Sequence, residues 1–199
     1  MGNESGELNP KRRVAILGGS FDPVHLGHLG MAATVIENTE VDEVIFVPCF
    51  VSPFKSGTVA SPQERAEMLE LAIADLDLKW ATVSRFEIER PEPSVSWETA
   101  EYFTGAMPGA VLHWIVGTDQ WEQLERWAEP EKLRELLSFI VLTRGDGEVK
   151  PKSGWRHETL AFEHPASSTR IREHCDEHED WLTPAVLAYC REHGLYGCR

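Results

Sequence analysis

The sequence predicts an α/β protein with a mostly parallel sheet and helices on both faces. Three observations carry this. Short apolar runs suited to buried strands alternate along the chain with segments of helical periodicity. Gly and Pro punctuate the boundaries between them. No internal repeat, low-complexity stretch or linker interrupts the alternation.

Each element has a local reason. Val14-Ala15-Ile16-Leu17 reads as the first buried strand. Gly18 and Gly19 follow it, allowing a sharp turn and close approach of the backbone to a ligand. Pro23 stands where a helix can begin, since its missing N–H costs little in a first turn. That helix carries Leu26, Leu29, Ala33 and Ile36 on one face. Asp42 to Pro48 is the second strand. Ser61-Pro62-Gln63-Glu64 forms a capping box and opens a helix whose apolar face is Met68, Leu69, Ala72, Ile73 and Leu76. Trp80 to Glu89 reads as the third strand, and Ser96 to Met107 as a helix closed by Pro108-Gly109. Ala110 to Val116 is the fourth strand, Pro130 to Leu137 a helix, and Phe139 to Thr143 the fifth strand. Arg144 to Arg156 is rich in Gly and reads as a surface loop. Thr159 to Glu163 is a last short strand leading to a helix start at Ser167-Ser168-Thr169. Thr183-Pro184 opens the final helix, and Gly194 ends it.

Composition bounds the function. With 199 residues, 42% hydrophobic and 26% charged, the chain suits one sizeable core. It is expected to form a single domain over residues 11–199 behind a polar, disordered tail at 1–10. Apolar runs such as Val44-Ile45-Phe46-Val47 are too short to span a bilayer, and the first residues lack a signal core, so a cytoplasmic protein without membrane partners is expected. A net charge of -14 argues against nucleic acid as a partner. A phosphate site must then gather its cations locally, with Mg²⁺ helping; Lys55, Arg170 and Arg172 are the candidates, besides histidines. Cys49, Cys175, Cys190 and Cys198 form no Cys-x-x-Cys pair and are expected to be reduced thiols. The acidic run His174 to Asp180 lacks zinc spacing and reads as solvated, so no protein metal site is expected.

The chemistry concentrates in Gly18-Gly19-Ser20-Phe21-Asp22-Pro23-Val24-His25-Leu26-Gly27-His28. His25 and His28 are three apart and can project from one side of a helical first turn. The open N–H groups and dipole of that turn favour an anion, so two imidazoles there can bind and neutralise phosphate. The stretch lacks both the Gly-x-x-x-x-Gly-Lys-Ser/Thr and the Gly-x-Gly-x-x-Gly pattern, which sets it apart from the other common phosphate loops.

This segment resembles the signature of nucleotidyltransferases with a His-x-Gly-His motif, and Ser167-Ser168-Thr169-Arg170-Ile171-Arg172 looks like their second signature, Ser-Ser-Thr-x-Ile-Arg. The resemblance implies a Rossmann-like sheet binding ATP at its carboxyl edge. It sharpens toward the bacterial nicotinate-nucleotide adenylyltransferases through Val47-Pro48 with Pro53-Phe54-Lys55, Arg65 to Leu69, Glu89-Arg90 with Pro93 to Thr99, Gly117-Thr118-Asp119 with Trp127, and Gly194-Leu195-Tyr196. It implies adenylyl transfer from ATP, with Mg²⁺, to nicotinate mononucleotide. His25, His28, Lys55 and Arg172 would be catalytic, the two histidines binding the ATP phosphates. The Gly19-Ser20-Phe21 backbone, Gly117, Asp119 at the ribose, Ser168, Thr169 and Arg172 would bind ATP. Ser96, Trp127 and Ala128 would bind the acceptor, Trp127 by stacking on its pyridine ring.

The bare residues leave other uses open. Arg65 sits on a helix that reads as packing and surface. Trp127 could be core, Asp119 a helix cap and Lys55 a solvated charge. Phe54, Val95, Ser96 and Ala128 depart from the family pattern around the acceptor, and Trp97 has no assigned role. A transferase with another acceptor, such as nicotinamide mononucleotide or phosphopantetheine, and a catalytically silent nucleotide-binding protein remain alternatives. Oligomeric state is not read from the sequence.

Overall fold

The structure is a computed structural model describing residues 11–51, 58–145 and 147–199. Six strands, β1 (Arg13–Gly19), β2 (Glu43–Pro48), β3 (Ala81–Val83), β4 (Val111–Gly117), β5 (Ser138–Thr143) and β6 (His157–Ala161), form one sheet in the order β3-β2-β1-β4-β5-β6. Every pairing is parallel. The helices are α1 (Leu26–Asn38), α2 (Pro62–Asp75), α3 (Ser96–Ala106), α4 (Thr118–Gln123), α5 (Pro130–Leu136), α6 (Ser168–Glu173) and α7 (Pro184–Glu192). The order reverses between β1 and β4, the switch point where ligands bind in such Rossmann-like sheets.

Strand alternation explains why helices cover both faces. Ala15 and Leu17 of β1, Val44 and Phe46 of β2, and Ile140 and Leu142 of β5 enter one core with α1, α2, α6 and α7. Their neighbours Val14, Ile16, Ile45, Val47, Phe139 and Val141 enter the other with α3, α4 and α5. The α2 capping box forms as expected: Ser61 Oγ accepts from the Glu64 N–H, and Glu64 accepts from the Ser61 N–H at 2.7 Å.

Four expectations need correction. Pro23 does not open α1; it lies in the preceding turn, with His25 at the N-cap and Leu26 the first helical residue. The third strand spans three residues rather than ten, because the chain turns away after Ser84. The last strand begins at His157, earlier than expected, and ends at Ala161. Cys175 and Cys198 are not reduced thiols but a disulfide, whose Cα atoms the fold brings to 5.1 Å; Cys49 and Cys190 are free and buried. The tail at 1–10 and Lys55 lie outside the described residues.

Candidate active site

The site forms where β1 and β4 end side by side. The cleft there is lined by Gly18, Gly19 and Ser20, by Cys49 from the end of β2, by Glu87, Ser94 and Ser96, and by Trp114, Gln120 and Trp127. A larger recess of about 710 Å³ lies at the amino ends of the strands, around Lys11, Arg13 and Val111. The active-site assignment follows the carboxyl edge, where converging loops and helix starts supply the chemistry.

At one end of the cleft, β1 turns through Phe21, which takes a left-handed φ of 49° and drops its ring into the core. Only its backbone can therefore meet a nucleotide. The turn delivers His25 and His28 onto the start of α1 with their rings stacked, centroids 3.8 Å apart. His28 Nδ1 accepts the His25 N–H at 3.3 Å, which leaves the His28 proton on Nε2, the atom suited to donate to an anion. Phe21 presses edge-on against the His28 ring.

His25 is buried, and its Nδ1 finds no partner among the described residues. Burial, then the charge of nearby His164, pushes its pKa down to about 4. Burial thus keeps the His25 imidazole neutral at neutral pH. His164 comes from the loop after β6. Its Nδ1 accepts the Ala166 N–H and would lie 3.3 Å from a Cβ at Gly27.

The second motif meets the first through backbone. Ser168 Oγ donates to the Pro23 carbonyl at 3.0 Å, and Arg172 Nη1 donates to the Asp22 carbonyl at 2.6 Å. Arg172 Nη2 donates to Thr169 Oγ1 at 3.2 Å. These side chains tie the turn after β1 to the start of α6. Arg144, His164, Ser167 and Arg170 line an adjoining recess.

On the acceptor side, Ser96 is the first residue of α3, and Trp127 lies edge-on to Trp114 at 6.3 Å. Both line the cleft, whereas Ala128 is exposed and does not. Asp119 sits in the first turn of α4 with Gly117 at the N-cap. Its Oδ1 would be 2.8 Å from a Cβ at Gly117, so a side chain there would displace the Asp119 carboxylate. Trp97 gains a structural role: Lys132 Nζ stands 3.7 Å over its ring, joining α3 to α5.

Three further residues, Asp22, Arg65 and Glu87, shape the site without having been named as site residues. Asp22, nearly fully buried, is a hub: its carboxylate accepts the N–H groups of Val59 and Ala60 at 2.9 and 3.0 Å and the Tyr196 hydroxyl at 2.7 Å. Burial, then the Asp22 charge, pushes the Tyr196 phenol far up. Arg65 is fully buried and donates to three backbone carbonyls. Glu87 lines the cleft with its carboxyl raised, mainly by burial, and accepts the Thr99 hydroxyl at 2.6 Å. The sequence carries Asp22 and Arg65 only inside the matched family segments, where nothing marks their burial or their partners.

A switch-point cleft beside a histidine-bearing turn, with a Ser-Ser-Thr helix start bonded to that turn, defines a nucleotidyltransferase of the Rossmann type. Comparison with known proteins agrees: the Cytidylyltransferase-like family matches residues 16–174. Curated relatives bearing the name nicotinate-nucleotide adenylyltransferase include one from Methylacidiphilum infernorum, 38% identical over 92% of each chain. Another, from Hydrogenobaculum, is 37% identical over 92% of this chain and 97% of its own. A solved nicotinic acid mononucleotide adenylyltransferase of Plasmodium falciparum, in complex with NaAD, superposes with a TM-score of 0.77 at 18% identity. It covers 94% of this chain and 98% of that one, a likeness of fold. The chain belongs to the nicotinate-nucleotide adenylyltransferase family.

Proposed function

We propose that the protein transfers the adenylyl group of MgATP to nicotinate mononucleotide, forming deamido-NAD and pyrophosphate. The observation that carries the reading is the stacked His25–His28 pair at the end of β1, beside a cleft that presents Trp127 and Ser96. A phosphate oxygen of the acceptor bonds to the α-phosphorus of ATP, and the bond from that phosphorus to the β-phosphate bridging oxygen breaks. Such a transfer is catalysed by positioning and charge stabilisation.

His28 donates from Nε2 to the phosphates. His25 starts neutral and takes up a proton as the polyphosphate arrives. Ser168, Thr169 and Arg172 hold the turn and flank the leaving pyrophosphate, with Lys55 as a further cation. Gly19, Ser20 and Phe21 offer backbone to the nucleotide, with Gly117 and Asp119 near the ribose. Trp127 stacks on the pyridine ring, and backbone N–H groups near Ser96 and Ala128 meet its carboxylate.

Mg²⁺ arrives with ATP. Among the described residues no three His, Cys, Asp or Glu side chains converge, and the Asp22 carboxylate is already occupied by three donors. An ion carried by substrate phosphates suits that donor set, as Mg²⁺ commonly binds. No helix of the described residues is long and apolar enough to cross a membrane, and we place the reaction in the cytoplasm, carried by a single unit over residues 11–199.

Pyrophosphate release from ATP, measured with both mononucleotides side by side, tests the reading. Donor groups facing the ring substituent favour a carboxylate over a carboxamide. Nicotinate mononucleotide should lead nicotinamide mononucleotide by roughly tenfold or more in kcat/KM, about 1.4 kcal/mol. In the same assay His28→Ala should lower kcat by about two orders of magnitude while remaining folded. Equal or reversed acceptor preference would remove the acceptor half of the reading, and full turnover in folded His28→Ala the phosphate half.

A further inference from the structure

Arg65 lies on α2, away from both signature motifs, yet its guanidinium reaches the site from beneath. Nη1 donates to the Ser20 carbonyl at 2.5 Å, in the turn after β1. Nη2 donates to the carbonyls of Cys49 at 2.6 Å and Phe50 at 3.1 Å, just beyond β2. One planar group thus bolts together the ends of two adjacent strands. Ser20 and Cys49 both line the cleft. The side chain is 0% exposed, and its Nε finds no partner among the described residues.

The charge is as unusual as the geometry. A buried cation is costly unless paired. Among the described residues no carboxylate lies within ion-pair distance of Arg65; the buried Asp22 carboxylate accepts from Val59, Ala60 and Tyr196 and stands 4.0 Å from Arg172 instead. Carbonyl dipoles solvate the guanidinium without cancelling its charge. In a chain of net charge -14, such a fixed cation under the cleft is a local attraction for an incoming anion.

We propose that Arg65 is a positioning residue for adenylyl transfer: it sets the spacing between the phosphate turn at Ser20 and the edge at Cys49–Phe50, and supplies an unneutralised charge beneath the bound phosphates. The inference rests on the adenylyl-transfer reading and adds a residue to it. Lysine keeps the charge but cannot span three carbonyls in a fixed plane. Methionine keeps much of the length and loses both.

The test compares wild type, Arg65→Lys and Arg65→Met in steady-state kinetics, in melting temperature, and in the stabilisation each gains from pyrophosphate. Arg65→Lys should lose about tenfold to a hundredfold in kcat, as small misplacements do, with KM for ATP nearly unchanged. Arg65→Met should also raise KM for ATP severalfold and lose most of the stabilisation by pyrophosphate. A residue that only held the fold would lower melting temperature and leave kcat per folded molecule and the response to pyrophosphate intact; that pattern overturns the proposal. Should neither variant fold, a wild-type structure with an ATP analogue decides. A phosphorus within roughly 8 Å of the guanidinium, close enough for a strong interaction at the effective dielectric of a protein site, supports the charge role, and a larger separation overturns it. Failure of wild type to use nicotinate mononucleotide would defeat the functional reading alone, because the response to pyrophosphate still reports on Arg65.

Discussion

His25 carries one of the sharper residue-scale consequences. Its pKa in the fold, about 4, lies below the ordinary 6.5. Between these values the unfolded chain binds the proton and the native one does not, so stability rises with pH across that interval. The contribution is present above pH 6.5 and lost as pH falls toward 4; its size is on the order of 3 kcal/mol. A polyphosphate beside the ring favours the charged form and raises the pKa. Pyrophosphate binding near pH 5.5 should therefore add a proton uptake at His25 to the ligand's own proton exchange. Calorimetry in buffers of different ionisation enthalpy reads it as the difference between wild type and His25→Asn, with wild type taking up more. Equal proton exchange in the two would show that His25 stays neutral beside the ligand.

At the scale of elements, α1 is a scaffold for its own first turn. Gly27 is buried there, and a Cβ on it would sit 3.0 Å from the His25 ring and 3.3 Å from His164. Alanine gains about 1 kcal/mol of helix propensity over glycine at an interior position. Gly27→Ala should therefore melt close to wild type while kcat falls by about tenfold or more, because His25 must move. A variant as active as wild type would mean that the His25 position is not critical. Much of this element was legible beforehand: the apolar run, the two glycines and the helical spacing of Leu26 and Leu29 place strand, turn and helix in order. The cap was not, since Pro23 suits a first helical turn by itself, yet the helix starts at Leu26 with His25 as its N-cap. The third strand was overread because residues 86–90 look strand-like, yet Phe86 turns out to stack on Tyr102 and Arg90 pairs with Glu98 of α3. Arg65 escaped notice because a charged helix residue is usually solvated, and only the tertiary fold supplies its three carbonyls. Ser96 and Trp127, expected at the acceptor, line the cleft, whereas Ala128 does not.

Across the whole molecule, long-range ties join distant segments to the first turn. The Cys175–Cys198 disulfide closes a loop of 23 residues behind α6. Spacing alone gave no hint of it, as neither cysteine has a near partner. Closing a loop of that length restricts the unfolded chain by roughly 3 kcal/mol. Protein purified without reductant, denatured and alkylated, should gain two alkyl groups by mass; four would mean the pair is not bonded. Reduction should lower the melting temperature by several degrees.

The tie between Asp22 and Tyr196 spans 174 positions. Those from Ser168 to Pro23 and from Arg172 to Asp22 span 145 and 150. Synthesis runs in one direction, so the ribosome makes the phosphate turn early and its fasteners late. While the chain is still growing, β1, β2 and α1 can already pair and pack. The Asp22 carboxylate, however, waits for a hydroxyl that has not yet been translated. A nascent chain stalled before residue 195 would own both histidines and no completed clasp around them. The clasp therefore closes only once Tyr196 has been made, and a chain stalled before it should hold ATP more weakly than the released protein.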